Sequence, residues 1–130
     1  MTFLDLVKNR QSVRKYQDRP IENDKLELIL EAGRLAPSAC NSQPWKFVVV
    51  NEPKLREKVA KATFNKVLSF NKFSLQAPLL VVIVMENPKV ITQIGGFIKD
   101  KEYPLYDIGL VAEHLCLQAE ELGIGSCMMG

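Results

Sequence analysis

The sequence predicts an α+β fold, an α/β sandwich with helices around a small mixed sheet, in a single domain spanning residues 1–130. Two short apolar runs rich in β-branched residues, KFVVV at 46–50 and LLVVIV at 79–84, read as buried strands. Around them lie segments whose apolar residues recur at spacings of three and four. The clearest is Leu105, Ile108, Ala112, Leu115, Ala119 and Leu122. Hydrophobic residues make up 47% of the chain, enough for one core.

In chain order, Thr2 caps a helix over 3–9, with Asp5 in its first turn and Lys8 and Arg10 near the end that favours cations. The polar stretch RQSVRKYQDR (10–19) has no apolar stripe and reads as extended chain or loop, ending at Pro20. Asn23 caps a second helix that turns Leu26, Ile29, Leu30 and Gly33 to the core and ends at Ala36, before Pro37. PSACNSQPW (37–45) is a loop with Trp45 buried as a core anchor. Asn51, Glu52 and Pro53 start a helix over 54–62. Residues 64–76 form either one helix or a helix and a loop, stopped by Pro78. In 86–103, Gly95 and Gly96 interrupt regular structure, and the segment reads as an irregular lid. The last helix covers about 104–122, with Gly123 as its cap.

Composition narrows the function. Seventeen Lys and Arg against fifteen Asp and Glu leave a net charge of +2, too mild for a nucleic-acid surface, so any anion site is local. Cys40, Cys116 and Cys127 lack the paired spacing of a structural zinc site, and no metal constellation is visible. The N-terminus lacks a secretory leader's apolar run and LLVVIVM is too short to span a bilayer; a soluble, cytoplasmic protein is expected.

Arg10, Ser12 and Arg14 alternate along the extended segment. They can therefore present two guanidinium groups and a hydroxyl to one phosphate-sized target. Taken alone, the pattern is weak and reads more readily as surface arginines. Three ordered segments give it context. R-x-S-x-R-x-[FY] is carried by Arg10, Ser12, Arg14 and Tyr16. A-P-S-x-x-N-x-Q-P-W is carried by Pro37, Ser38, Asn41, Gln43, Pro44 and Trp45. YDIGLVAEHLCLQAEELGIGSCMMG closes the chain. Together they resemble the nitroreductase family over essentially the whole length.

The resemblance implies bound flavin mononucleotide (FMN), with NADH or NADPH as donor. It assigns cofactor contacts to Arg10, Gln11, Ser12, Arg14, Pro37, Ser38, Ala39, Asn41, Asn71, Met129 and Gly130, and a substrate pocket to Cys40, Phe70 and Phe97. Met129 and Gly130 fall in the loop whose backbone amide bonds flavin N5. Asn71 has the amide to pair with the flavin's pyrimidine edge, although a turn or capping role is the alternative. Ser74 stands where relatives often carry a lysine beside the flavin N1 and O2 edge, and Lys72 is the nearest substitute. His114 shares a helical face with Asp107, Gln118 and Glu121, which reads as exposed or interfacial. Cys127 reads as a packed small hydrophobe, and Cys40 lacks an activating neighbour.

The implied reaction is ping-pong transfer of a hydride from NAD(P)H, through flavin N5, to a nitroaromatic, quinone or similar small-molecule acceptor. No side chain acts as a catalytic acid or base, because the cofactor carries the chemistry. The alternatives are a reductive dehalogenase or enone reductase of the same fold, a flavin-binding or sensing protein with little turnover, and a structural domain without flavin. The family also implies a homodimer with FMN at the interface. Its members continue past the position of Gly130 through another helix and strand, so the chain reads as C-terminally truncated, with apolar surface left exposed.

Overall fold

Thr2 and Asp5 set the first helix. In the computed structural model, which describes residues 1–130, the Thr2 hydroxyl accepts from Asp5 N–H at 3.2 Å and the Asp5 carboxyl accepts from Thr2 N–H at 3.0 Å. This reciprocal cap opens α1 (Phe3–Asn9). The second helix, α2 (Asn23–Arg34), starts one residue earlier than a cap at Asn23 would place it. Glu22 occupies the capping position without a side-chain capping bond; its carboxyl lies 2.6 Å from Arg19 and 3.5 Å from Lys25 of the helix.

Strand β1 (Trp45–Val50) leads into α3 (Pro53–Ala62). Glu52 caps α3 with both oxygens, accepting from Lys54 N–H and Leu55 N–H at 3.1 and 2.7 Å, and Pro53 fills the first turn, where no amide is needed. Residues 72–76 form a single 3₁₀ stretch after a loop, which resolves the 64–76 alternatives against a continuous helix. Strand β2 (Leu80–Met85) pairs antiparallel with β1, from Trp45 opposite Met85 to Val50 opposite Leu80.

Period-two alternation divides the sheet between two cores. Trp45, Phe47, Val81 and Ile83 pack against Ile29, Ala36, Val111, Leu115 and Ala119 of α2, its C-terminal turn and α5. On the other face Val50, Leu80 and Val82 meet Ala60 of α3 and Ala77. This is the predicted sandwich. The sheet itself is antiparallel, and the parallel sense appears only in an isolated bridge between Ser12 and Ser126.

Two expectations need correction. The strands are not fully buried: Lys46, Val48, Val84 and Met85 are exposed, because a two-stranded sheet with one helix on its second face leaves the far end uncovered. Trp45 is accordingly half-buried. Residues 86–103 are not irregular either, since α4 (Val90–Lys99) runs through both glycines. A Cβ on Gly96 would lie 2.5 Å from the Lys101 carbonyl oxygen, so this glycine admits the returning chain. Asp100, at φ 53°, reverses the direction, and Lys101 N–H donates to Gly96 O at 2.8 Å.

Helix α5 (Tyr103–Glu121) carries the main core stripe, and Gly123 at φ 75° turns the chain away just after it. Its buried face is Asp107, Val111, Leu115, Cys116 and Ala119, rotated from the predicted one, and Leu105 is exposed. Only 17 of 130 residues are buried, which leaves much of the apolar content on the surface. One such feature is on α4, where Val90, Ile91, Ile94, Phe97 and Ile98 form an exposed stripe.

Candidate functional site

The extended segment after α1 is held by the C-terminal loop. Val13 N–H donates to Ser126 O at 2.9 Å, next to the Ser12–Ser126 bridge. Gly125 permits this approach: a Cβ there would lie 2.9–3.0 Å from three carbons of the Val13 side chain. Val13 is turned to the loop, and Ser12 beside it forms the bridge. Tyr16 donates to Val13 O at 2.6 Å and shares the second core with Met129, so the predicted N- and C-terminal contributors are neighbours. Burial is the main cause that pushes the Tyr16 phenol up to about 12.

The two guanidinium groups are held by different neighbours. Arg10 Nε lies 3.3 Å from Glu113 Oε1 on α5, and Arg14 sits over the Phe73 ring at 5.9 Å with one long 3.5 Å contact to Ser12 O. Convergence on one phosphate would require Arg10 to exchange Glu113 for it. A part-exposed ion pair contributes about 0–1 kcal/mol, so little holds Arg10 on Glu113. Gln11 is exposed alongside.

The 37–44 loop is strained and tightly held. Cys40, Asn41 and Gln43 all have φ near 50°, and each left-handed non-glycine residue costs roughly 1–2 kcal/mol. Ser38 Oγ accepts from Gln43 N–H at 2.9 Å across the turn, and Pro44 is fully buried. Two helices supply the remaining anchors. Ala39 N–H donates to Asp107 Oδ1 on α5 at 3.2 Å. The Thr92 hydroxyl on α4 reaches Ala39 O at 3.4 Å and Ser42 Oγ at 2.7 Å, and Lys89 Nζ donates to Cys40 O at 3.3 Å. Strain fixed by several surrounding contacts is characteristic of ligand clamps. Pro37, Ser38, Ala39 and Asn41 therefore present a preformed backbone.

Asn71 is buried, and its Nδ2 donates to Thr63 O at 3.1 Å; it makes no capping bond to the 3₁₀ stretch that follows. That removes a side-chain cap but leaves the turn role, which the bond to the Thr63 carbonyl fits. Its place beside Phe73 puts it near the clamp segment, since Tyr16 packs against the same ring. Ser74 is completely buried against Ala60 and Thr63, and Lys72 is exposed. Cys40, Phe70 and Phe97 are all exposed. None of them lines either of two surface depressions. One of about 850 Å³ opens between α2 and β1, and one of about 300 Å³ lies at the junction of α4 and α5.

Asp107 is not on an exposed face with His114. It is 3% exposed, on the core side of α5. His114 instead keeps its ring against its own helix, Nδ1 lying 2.9 Å from Leu110 O. Burial also pushes the Cys116 thiol up, against a smaller opposing effect of Ser126. Sequence reasoning missed Asp107, Thr92, Lys89 and Glu113 as parts of the site. A buried-face acid in the helix of the third matching segment was the one available signal.

The donor set suits FMN: two arginines and a serine for a phosphate, a rigid backbone loop for a planar ring, and a buried Asp107 oxygen beneath that loop with no partner. No group of three or more metal-ligating side chains gathers, and no helix is long and apolar enough to cross a membrane.

The profile of the Nitroreductase family matches residues 7–130. The chain superposes on a nitroreductase family protein from Clostridium novyi NT with a TM-score of 0.83 and 35% identity, over 98% of this chain and 68% of that one. An FMN-dependent nitroreductase from Clostridium difficile R20291 gives a TM-score of 0.76 and 32% identity, over 96% and 64% respectively. A protein of Archaeoglobus fulgidus, named for NADH dehydrogenase/NAD(P)H nitroreductase activity, is 33% identical over 132 residues; the match covers 98% of this chain and 66% of the relative. A Methanothermobacter thermautotrophicus protein of similar name is covered over 61% of its length. The chain thus spans three fifths to two thirds of these curated relatives.

Proposed function

Because the chain belongs to the nitroreductase family, we propose that it works as an FMN-dependent oxidoreductase, passing a hydride from NADH or NADPH to a nitroaromatic, quinone or similar small acceptor by a ping-pong route. The observation that carries this reading is the seating of the C-terminal loop on the clamp segment at Ser12 and Ser126, which gathers residues from both ends of the chain into one region. When bound, FMN supplies the hydride-accepting atom N5. The protein's own part is placement and hydrogen bonding.

Arg10, Ser12 and Arg14 bind the phosphate. The backbone of Pro37, Ser38, Ala39 and Asn41 lies along the ring and ribityl chain, and the Asn71 amide addresses the pyrimidine edge. Met129 and Gly130 bring a backbone amide to N5, with Gln11 at the margin. Cys40, Phe70 and Phe97 border the space for the acceptor. Their exposure in a single chain accords with a site completed by a second copy, and the α4 stripe is the apolar surface we assign to that homodimer, with FMN at the interface. Three free thiols fit a reducing compartment, and we place the activity in the cytoplasm.

One observation favours a second reading, a flavin-binding protein with little turnover: buried Ser74 supplies no positive charge at the flavin edge. A single experiment separates the two. FMN-loaded protein is mixed anaerobically with NADPH or NADH while the flavin absorbance is followed. The oxidoreductase bleaches within seconds and recovers on adding a quinone, whereas a binder stays yellow. A protein that retains no FMN after unbound flavin is removed by gel filtration refutes both.

A further inference from the structure

We infer that Asp107 is a positioning residue for the strained loop over residues 38–43, holding the Ala39 amide so that the left-handed run behind it keeps the shape that meets the flavin; this rests on the FMN reading above. Ala39 is fixed through its backbone on both sides. Its N–H donates to Asp107 Oδ1 at 3.2 Å, and its carbonyl accepts from the Thr92 hydroxyl at 3.4 Å. Both anchoring residues are nearly inaccessible, Asp107 at 3% and Thr92 at 2% exposure.

The chemistry at 107 is unusual for its place in the helix. Val111 and Leu115 follow at intervals of four on the buried face of α5, so an apolar residue at 107 would simply continue the stripe. The chain instead buries a carboxyl whose Oδ2 has no hydrogen-bond partner. An unsatisfied buried acceptor is destabilising, and such groups call for an explanation beyond packing. The carboxyl's other oxygen, Oδ1, is the one that holds the loop. Cys40, Asn41 and Gln43 sit near φ 50°, and these conformations persist only while the surrounding contacts impose them. The Asp107 bond is the anchor immediately before that run. Asparagine keeps an acceptor oxygen at the same reach, while alanine removes it.

The test uses the full chain with Asp107→Ala and Asp107→Asn. It reads hydrogen exchange of the Ala39 amide without FMN, FMN affinity by fluorescence quenching, and visible circular dichroism of the bound flavin. Asp107→Ala should expose the Ala39 amide, weaken FMN binding about tenfold, the equivalent of one net hydrogen bond, and change the dichroism. Asp107→Asn should restore all three. Wild-type affinity and dichroism in Asp107→Ala, whatever its melting temperature, overturn the inference, as does an Asp107→Asn variant as impaired as Asp107→Ala. If Asp107→Ala does not fold, Thr92→Val removes the second anchor with little change of shape. Weakened FMN binding then supports the inference and unchanged binding overturns it. A wild-type chain that fails to bind FMN overturns the functional reading and the flavin role together, while Ala39 protection still reports the hydrogen bond by itself.

Discussion

Replacing Gly125 by alanine tests the seam between the two ends of the chain. The added Cβ would stand 2.9, 3.0 and 3.0 Å from Val13 Cγ2, Cβ and Cγ1. Ordinary carbon contacts lie at about 3.5–4.0 Å, so three overlaps of roughly half an ångström or more arise at once. Val13 is β-branched and cannot swing aside freely, so the loop must lift. Overpacking of this kind costs about 1–3 kcal/mol. Losing the Val13 N–H bond to Ser126 O adds about 1 kcal/mol, giving about 2–4 kcal/mol in all. Urea unfolding measures the loss, and hydrogen exchange at the Val13 amide locates it. Val13→Ala in the Gly125→Ala background should recover a large part by removing the opposing carbons, with a coupling energy that a double-mutant cycle resolves. A Gly125→Ala protein within about 0.5 kcal/mol of wild type, with the Val13 amide still protected, would show that the seam tolerates the added carbon.

Arg10→Ala and Arg14→Ala should each weaken FMN binding about 10- to 100-fold, as expected for a lost charge-assisted bond, and should flatten its dependence on salt; equal affinity in both variants would remove the phosphate assignment. Tyr16 gives a pH signature. Its phenol titrates at 10.0 in the unfolded chain and at about 12 when folded, so the folded state holds the proton more tightly. The resulting stabilisation is complete below pH 10 and is lost as pH rises through 12. Unfolding curves between pH 9 and 12 should therefore fall more steeply for wild type than for Tyr16→Phe, and parallel curves would contradict the burial assigned to Tyr16.

Local chemistry was legible where a few adjacent residues decide the outcome. Thr2 with Asp5, Glu52 with Pro53, and Gly123 after a long apolar stripe each act within one turn of chain, and each element formed nearly where those residues place it. Helix α4 was hidden because Gly95 and Gly96 each argue locally against a helix by about 1 kcal/mol. The apolar stripe from Val90 to Ile98 and the tight return at Lys101 outweigh them. Asp107 was misplaced for a different reason. An acidic residue on an amphipathic helix belongs to solvent by default, and its partner at Ala39 lies 68 positions away, beyond any periodicity. The residues of the proposed site were visible as motifs. Their supports, Glu113 for Arg10 and Phe73 for Arg14, were not, since only folding brings them together.

The bridge between Ser12 and Ser126 also governs when the site can exist. It closes a span of 114 positions, for which the chain-closure entropy is about 4 kcal/mol beyond a constant term. Contacts of such separation form late, after nearby helices and the hairpin-like pairing of β1 with β2 have shortened the effective path. During synthesis, a chain still lacking residue 126 cannot hold the clamp segment in this way, whatever else has folded. On the proposed reading, cofactor capture follows the seating of the Ser126 loop on the clamp segment.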